Sequence, residues 1–176
     1  RAGLGLVQVS DGETAWLWDP LRFDSAEPIA RLLAKPDSIK VLHSGSEDLE
    51  VLLQSIGTIP EPLVDTQVAC AMLGQPLQLS YQGAVKWLFG IDVDKDHTRS
   101  NWLKRPLQQG QLRYAAMDVV LLPLMLAELR PRLEQAGRWG DGGHAPLVGR
   151  RAHHHNHSQQ RTQQRGGGEA QHAETV

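Results

Sequence analysis

The sequence predicts an α/β domain in which a mixed sheet is flanked by helices. Apolar–polar alternation is concentrated near the start, in "LGLVQVS" and "TAWLWD". A strand–helix–strand segment follows from Ser38 to Val64. Helical periods ending at glycines then dominate the chain as far as Gly137. Strands first and helices accumulating later imply helices packed on the faces of one sheet, with both strand directions present.

Taken in order, residues 4–18 read as two antiparallel strands, because Asp11-Gly12 between two alternating runs is a strong hairpin signal. "DSAEPIARLLAK" has a helical period, with Asp24 or Ser25 as N-cap. "SIKVLH", Ser38 to His43, is a short buried strand. "SEDLEVLLQSIG" opens on Ser46 as a cap with acidic residues in its first turn, and runs as an amphipathic helix to Gly57. "EPLVDT" is extended, "TQVACAMLG" a short helix ending at Gly74, and "LSYQGAVKWLFG" another ending at Gly90. "IDVDKDHTRSNWLKRPL" is a polar loop. "QQGQLRYAAMDVVLLPLMLAELRPRLEQAG" is a long helix, kinked by Pro123 and broken near its end by Pro131.

The chain has 176 residues, enough for one domain with a real core. Composition changes near Gly140: from Arg150 onward there is no Leu, Ile, Phe, Trp, Tyr or Met. Such a segment cannot bury enough apolar surface to offset its ordering entropy, so residues 1–140 read as the domain and 141–176 as a disordered polar tail. The tail's His153, His154, His155 and His157 could take up a metal ion adventitiously, but a solvated tail is the simpler reading. The formal net charge of −2 gives no global basic footprint, although a bound metal could supply positive charge for an anionic partner. A single cysteine, Cys70, in an apolar segment gives no disulfide framework and suits a reducing cytosol. No apolar run approaches the roughly 20 residues of a membrane span.

The candidate carboxylates are Asp48, Asp65, Asp118 and the pair Asp11 and Glu13. Each has a plain structural explanation as a solvated helical residue, a cap or a turn. Asp118 differs in context. It lies among Ala115, Ala116, Val119 and Val120, and a carboxylate there is costly to desolvate unless paired or bound to metal. Tyr114 is four residues earlier, on the same helical face, where a phenol can orient a water. Asp48 falls in the first turn of a helix after a strand end, where open α/β sheets place ligand groups.

"KVLHSGSEDLEVL", "PLVDTQVACAMLG" and "RSNWLKRPLQQGQLRYAAMDV", in that order and spacing, resemble ribonuclease D. More broadly they are similar to the 3′–5′ exonucleases of ribonuclease H-like fold with four acidic metal ligands, in the subtype whose third motif carries a tyrosine. The resemblance runs from about Leu4 to Gly140. It implies phosphodiester hydrolysis at RNA 3′ ends with two divalent ions, Mg2+ or Mn2+, about 3.5–4 Å apart. Carried over, Asp118 and Asp48 are metal ligands, and Tyr114 positions the attacking water. By the same resemblance the partner is a single-stranded RNA 3′ end, of transfer-RNA precursors, in the cytoplasm. No membrane and no obligate protein partner is inferred.

The resemblance also implies an Asp-x-Glu motif on a first strand. Asp11-Gly12-Glu13 matches that pattern in letters only, since it sits at the hairpin turn after the strand "LGLVQVS", and a rigid two-metal site needs supported ligands. The expectation is therefore a chain that begins after its own first motif, lacks the first strand of the sheet, and is weak or inactive as it stands. In the polar loop Arg99, Lys104 and Arg105 are candidate phosphate contacts, against a solvated loop with Arg105 paired to a carboxylate. Trp102 reads as a loop anchor and His43 as a packed, satisfied histidine. Two alternatives stay open: a non-catalytic nucleic-acid-binding module of the same fold, and a relative of the same fold acting on DNA.

Overall fold

The computed structural model describes residues 4–93 and 100–140. Arg99 and the tail histidines lie outside the described residues.

Strands β1 (Val7–Ser10) and β2 (Ala15–Trp18) pair antiparallel, from Val7 opposite Trp18 to Ser10 opposite Ala15. The loop between them is knitted by side chains. The Asp11 carboxylate accepts from the Glu13 and Thr14 N–H groups, and the Ser10 hydroxyl accepts from Gly12 N–H. Gly12 turns the chain at a φ of +98°, which glycine adopts without a Cβ clash. These backbone donors, Thr14 first, hold the Asp11 carboxyl below its ordinary range. Asp11 thus acts as a turn residue.

Helix α1 (Glu27–Leu33) follows. Its N-cap is Ala26, without a side-chain cap, in place of the expected Asp24 or Ser25. Ser25 still accepts the Glu27 N–H at 3.2 Å, and Pro28 in the first turn needs no partner for its nitrogen. Strand β3 (Lys40–Leu42) pairs parallel with β4 (Leu63–Asp65), and helix α2 (Ser46–Ile56) makes the crossover. The N-cap of α2 is Gly45, so Ser46 is its first helical residue and does not cap it. Gly57 closes it in the left-handed conformation, with its N–H on Leu53 O.

Helices α3 (Thr66–Met72) and α4 (Tyr81–Phe89) come next, capped by Asp65 and Ser80. The last helical stretch differs from expectation. It is two helices, α5 (Gln109–Val120) and α6 (Leu122–Gln135), parted at Leu121. Pro123 sits in the first turn of α6, where its missing N–H is tolerated. Pro131 lies inside α6 and does not break it, because the packing of Leu129 and Leu133 holds both sides of it in the core.

The strand directions are those of a mixed sheet, but among the described residues they form two separate ladders, β1–β2 and β3–β4. Between them lies an apolar cavity of about 830 Å³, lined by residues that include Val9, Trp18, Ile29, Leu33, Val41 and Leu126. The main core is built on α6: Met125, Leu129 and Leu133 are fully buried against Ala69, Cys70, Ala84 and Val85. Burial pushes the Cys70 thiol up to about 11, so it is an inert core group. A smaller core of Val7, Ile29, Leu33 and Leu52 joins the hairpin to α1 and α2. No described helix is long and apolar enough to cross a membrane.

Candidate active site

The end of β3 and the start of α2 are shaped by one carboxylate. Asp65 ends β4 and accepts from Ser44 N–H at 3.0 Å, Gly45 N–H at 2.9 Å and Gln67 N–H at 2.8 Å. It therefore caps α3 and ties down the turn that leads into α2. That turn is tight: Ser44 has a φ of +56°, unusual for a residue with a side chain. A Cβ on Gly45 would meet Leu42 Cδ1 at 2.6 Å. The purpose of this turn is geometric. It reverses the chain at the strand end and brings Asp48, in the first turn of α2, to face a cleft.

The opposite wall of the cleft is α5. Gln111 Oε1 accepts the Gln108 N–H at 2.9 Å and starts the helix. Tyr114 and Asp118 then fall on one face, four residues apart, and the Tyr114 hydroxyl hydrogen-bonds the Asp118 carboxylate. The Trp102 ring lies tilted against Tyr114, with centroids 6.2 Å apart, so it anchors the preceding loop beside the site. A cleft of about 520 Å³ is lined by Asp48, Tyr114 and Asp118 together with His43 and Tyr81. The three residues expected to carry the chemistry thus line one cleft, although they come from elements far apart in the chain.

Among the described residues, the electrostatics are those of carboxylates without a counter-charge. Burial pushes the Asp118 carboxyl up to about 6, against the opposing pull of the Tyr114 hydrogen bond. Asp48 is raised by burial first, then by the charges of Glu47 and Asp65. None of the ion pairs among the described residues involves either group. An all-oxygen pair of this kind, with Asp118 half-buried, Asp48 more exposed and no counter-charge among the described residues, suits a hard divalent cation. Among the described residues, however, no three side chains of His, Cys, Asp and Glu come together as a metal cluster. Asp11 does not line this cleft; it lies at the rim of the apolar cavity.

His43 is a packed histidine, as expected. Its Nδ1 pairs with Thr66 Oγ1 and its Nε2 with Leu79 O, each at 2.8 Å, and burial lowers its pKa. Arg105 takes the structural alternative: its guanidinium grips Asp19 through two bonds of 2.7 Å and also donates to Gly5 O and Trp102 O. All of its strong donors face the protein, which leaves exposed Lys104 as the described cation of that loop turned to solvent. Tyr81 and Asp19 were not singled out by sequence. Nothing in local spacing connects Asp19 to Arg105, 86 residues away.

A family model described as "3′–5′ exonuclease" matches residues 1–134. The chain belongs to this 3′–5′ exonuclease family. Among curated relatives it is 49% identical over 134 residues to ribonuclease D of Pseudomonas paraeruginosa, a match covering 76% of the chain and 36% of that protein. It is 42% identical over 134 residues to ribonuclease D of Escherichia coli, with the same shares covered. The exonuclease domain also superimposes on solved structures. E. coli RNase D, described as an exoribonuclease involved in structured RNA processing, matches with a TM-score of 0.73 and 41% identity over 76% of this chain and 36% of that one. Brucella melitensis NrnC, solved with pGG, matches with a TM-score of 0.69 and 32% identity, covering 76% and 66% of the two chains. The chain thus spans about a third of the length of the ribonuclease D proteins it matches. Its α/β architecture is the ribonuclease H-like fold of these exonuclease domains.

Proposed function

We propose that the domain is a 3′–5′ exoribonuclease that removes nucleotides from single-stranded RNA 3′ ends, in the cytoplasm and on transfer-RNA precursors. The observation that carries this reading is the convergence of Asp48, Tyr114 and Asp118 on one cleft in a chain of the 3′–5′ exonuclease family. Asp118 and Asp48 are the residues that would hold divalent ions; two Mg2+ or Mn2+ ions bound in such a site supply charge that activates a water and stabilises the leaving oxygen. The Brucella NrnC relative has been solved with bound Mg2+, which supports this choice of metal.

The chain's own groups divide the remaining work. Tyr114 lies one helical turn from Asp118 on the same face, and its hydroxyl would orient a water held beside that carboxylate. Trp102 packs against Tyr114 and fixes its ring. Lys104, together with Arg99, is the proposed phosphate contact; Arg105 serves them indirectly, by pinning the loop to the hairpin through Asp19. Among the described residues two carboxylates line the cleft where the resemblance implies four, so Asp48 and Asp118 would share one ion, held weakly, and turnover by this chain is weak.

The test is digestion of a 5′-labelled single-stranded RNA by the full chain with Mn2+. Slow shortening from the 3′ end is expected, reduced at least tenfold in Asp118→Asn. Shortening indifferent to Asp118→Asn, or internal cuts, would overturn the reading. A second reading, a non-catalytic nucleic-acid-binding module, is favoured by the lack of a three-residue metal cluster among the described residues. Retention of the RNA without any shortening would select it.

A further inference from the structure

The turn that bears Asp118 is not an ordinary helical turn. In an α-helix the carbonyl of Met117 would accept the N–H of Leu121, four residues on. Here the Tyr81 hydroxyl, from α4, donates to Met117 O at 2.9 Å. The Leu121 N–H turns instead to Val119 O, two residues back. One phenol is thus inserted into the backbone ladder where α5 passes into α6. Pro123 opens the neighbouring rung, because Val119 O loses the N–H that residue 123 would otherwise supply. Inserted groups of this kind bend and fix a helix at one place. The place is the turn holding Asp118.

The ring of Tyr81 makes a second contact. It packs edge-on against His43, with centroids 5.9 Å apart and planes at 73°. His43 directly follows β3 and is itself held at both ring nitrogens by Thr66 and Leu79. Two residues further on, Gly45 caps the helix that carries Asp48. Tyr81 therefore touches both halves of the cleft, through its hydroxyl on the α5 side and its ring on the β3–α2 side. It also lines the cleft itself.

We propose that Tyr81 is a positioning residue that sets the separation and orientation of Asp48 and Asp118 for a shared divalent ion. This rests on the metal-site reading given above. Its hydroxyl acts through the Met117–Leu121 rung and its ring through His43.

The test uses the full chain and calorimetric titration with Mn2+ alone, alongside thermal unfolding. Tyr81→Phe keeps the ring on His43 and removes only the inserted hydroxyl. It is expected to weaken Mn2+ binding at least threefold while lowering Tm by only a few degrees. Leu129→Ala, a deletion in the α6 core away from the cleft, is the control: it is expected to lower Tm further and leave Mn2+ affinity within twofold of the parent. Unchanged affinity in Tyr81→Phe, with binding still abolished by Asp118→Asn, would overturn the positioning role and leave the metal-site reading intact. Equal weakening by Leu129→Ala would also overturn it, since general loosening would then explain the effect. Mn2+ binding that Asp118→Asn does not affect would remove the metal-site reading, and the role of Tyr81 with it.

Discussion

Asp118 holds a carboxyl whose ordinary value is 3.8 in a place that pushes it up to about 6. The sign of the consequence follows from linkage. A carboxyl that binds its proton more tightly in the folded state contributes stability that is fully present below the unfolded value and is lost as pH rises through the folded one. Without divalent ions, Asp118→Asn is therefore expected to be more stable than the parent at pH 7.5, by on the order of 1 kcal/mol after allowing for partial exposure. The difference should close as pH falls below about 4, and urea denaturation across that range measures it. Added Mn2+ should reverse the order, because only the parent gains a ligand. Asp19 behaves in the opposite sense. The hydrogen bonds from Arg105 hold its carboxyl below the ordinary value of 3.8, so its contribution is present above that value and is lost as pH falls through the lower, folded one. Arg105→Ala leaves Asp19, Gly5 O and Trp102 O without their donor. It is expected to cost about 2 kcal/mol in urea denaturation, by the usual size of hydrogen bonds to a charged group.

At the scale of elements, the turn from β3 into α2 is the most constrained piece of the site. Gly45→Ala would push a Cβ to 2.6 Å from Leu42 Cδ1 and 2.9 Å from Leu42 Cβ, and only a shift of the helix start relieves that. The expected cost is about 2 kcal/mol, in the range of overpacked cores. Because the start of α2 carries Asp48, Mn2+ affinity should fall as well. Thermal unfolding and Mn2+ titration of the same variant check both. The sequence made the elements legible where hydrophobic period and glycine agreed: α2 closes at Gly57 and α4 at Gly90, each in the left-handed conformation. It was silent where tertiary contacts decide. Gly45, not Ser46, is the N-cap of α2, because the Asp65 carboxylate already holds the Gly45 N–H. The long C-terminal pattern is two helices because a phenol from α4 occupies a rung of its ladder, and no local rule in "LRYAAMDVVLLP" announces a group arriving from residue 81.

At the scale of the whole molecule, both hydrophobic cores found among the described residues are built from residues between Leu4 and Trp139. From the change of composition near Gly140 we propose residues 1–140 as the folded unit and 141–176 as a polar tail that adds no stability. A chain ending at Gly140 is expected to keep its Tm within about 2 °C of the full chain, less than the shift a 1 kcal/mol change produces in a domain of this size. A larger fall would assign the tail a packing role. The order of the motifs exposed the family before any coordinates, since "HSGSEDLEVL" and "RYAAMDV" carry the carboxylates that line the cleft. The separation of the two ladders was not legible, because strand patterns report which residues extend and not which edges meet.

The central claim is that Asp48 and Asp118 act together on one divalent ion. A double-mutant cycle in Mn2+ binding tests it most directly, with the parent, Asp48→Asn, Asp118→Asn and the double variant measured by electron paramagnetic resonance of free Mn2+. Each single variant is expected to lose most of the specific binding, and the double variant to lose little more, because both ligands serve one site. Losses that simply add, or a variant that binds as the parent does, would mean that the two carboxylates share a cleft without sharing an ion.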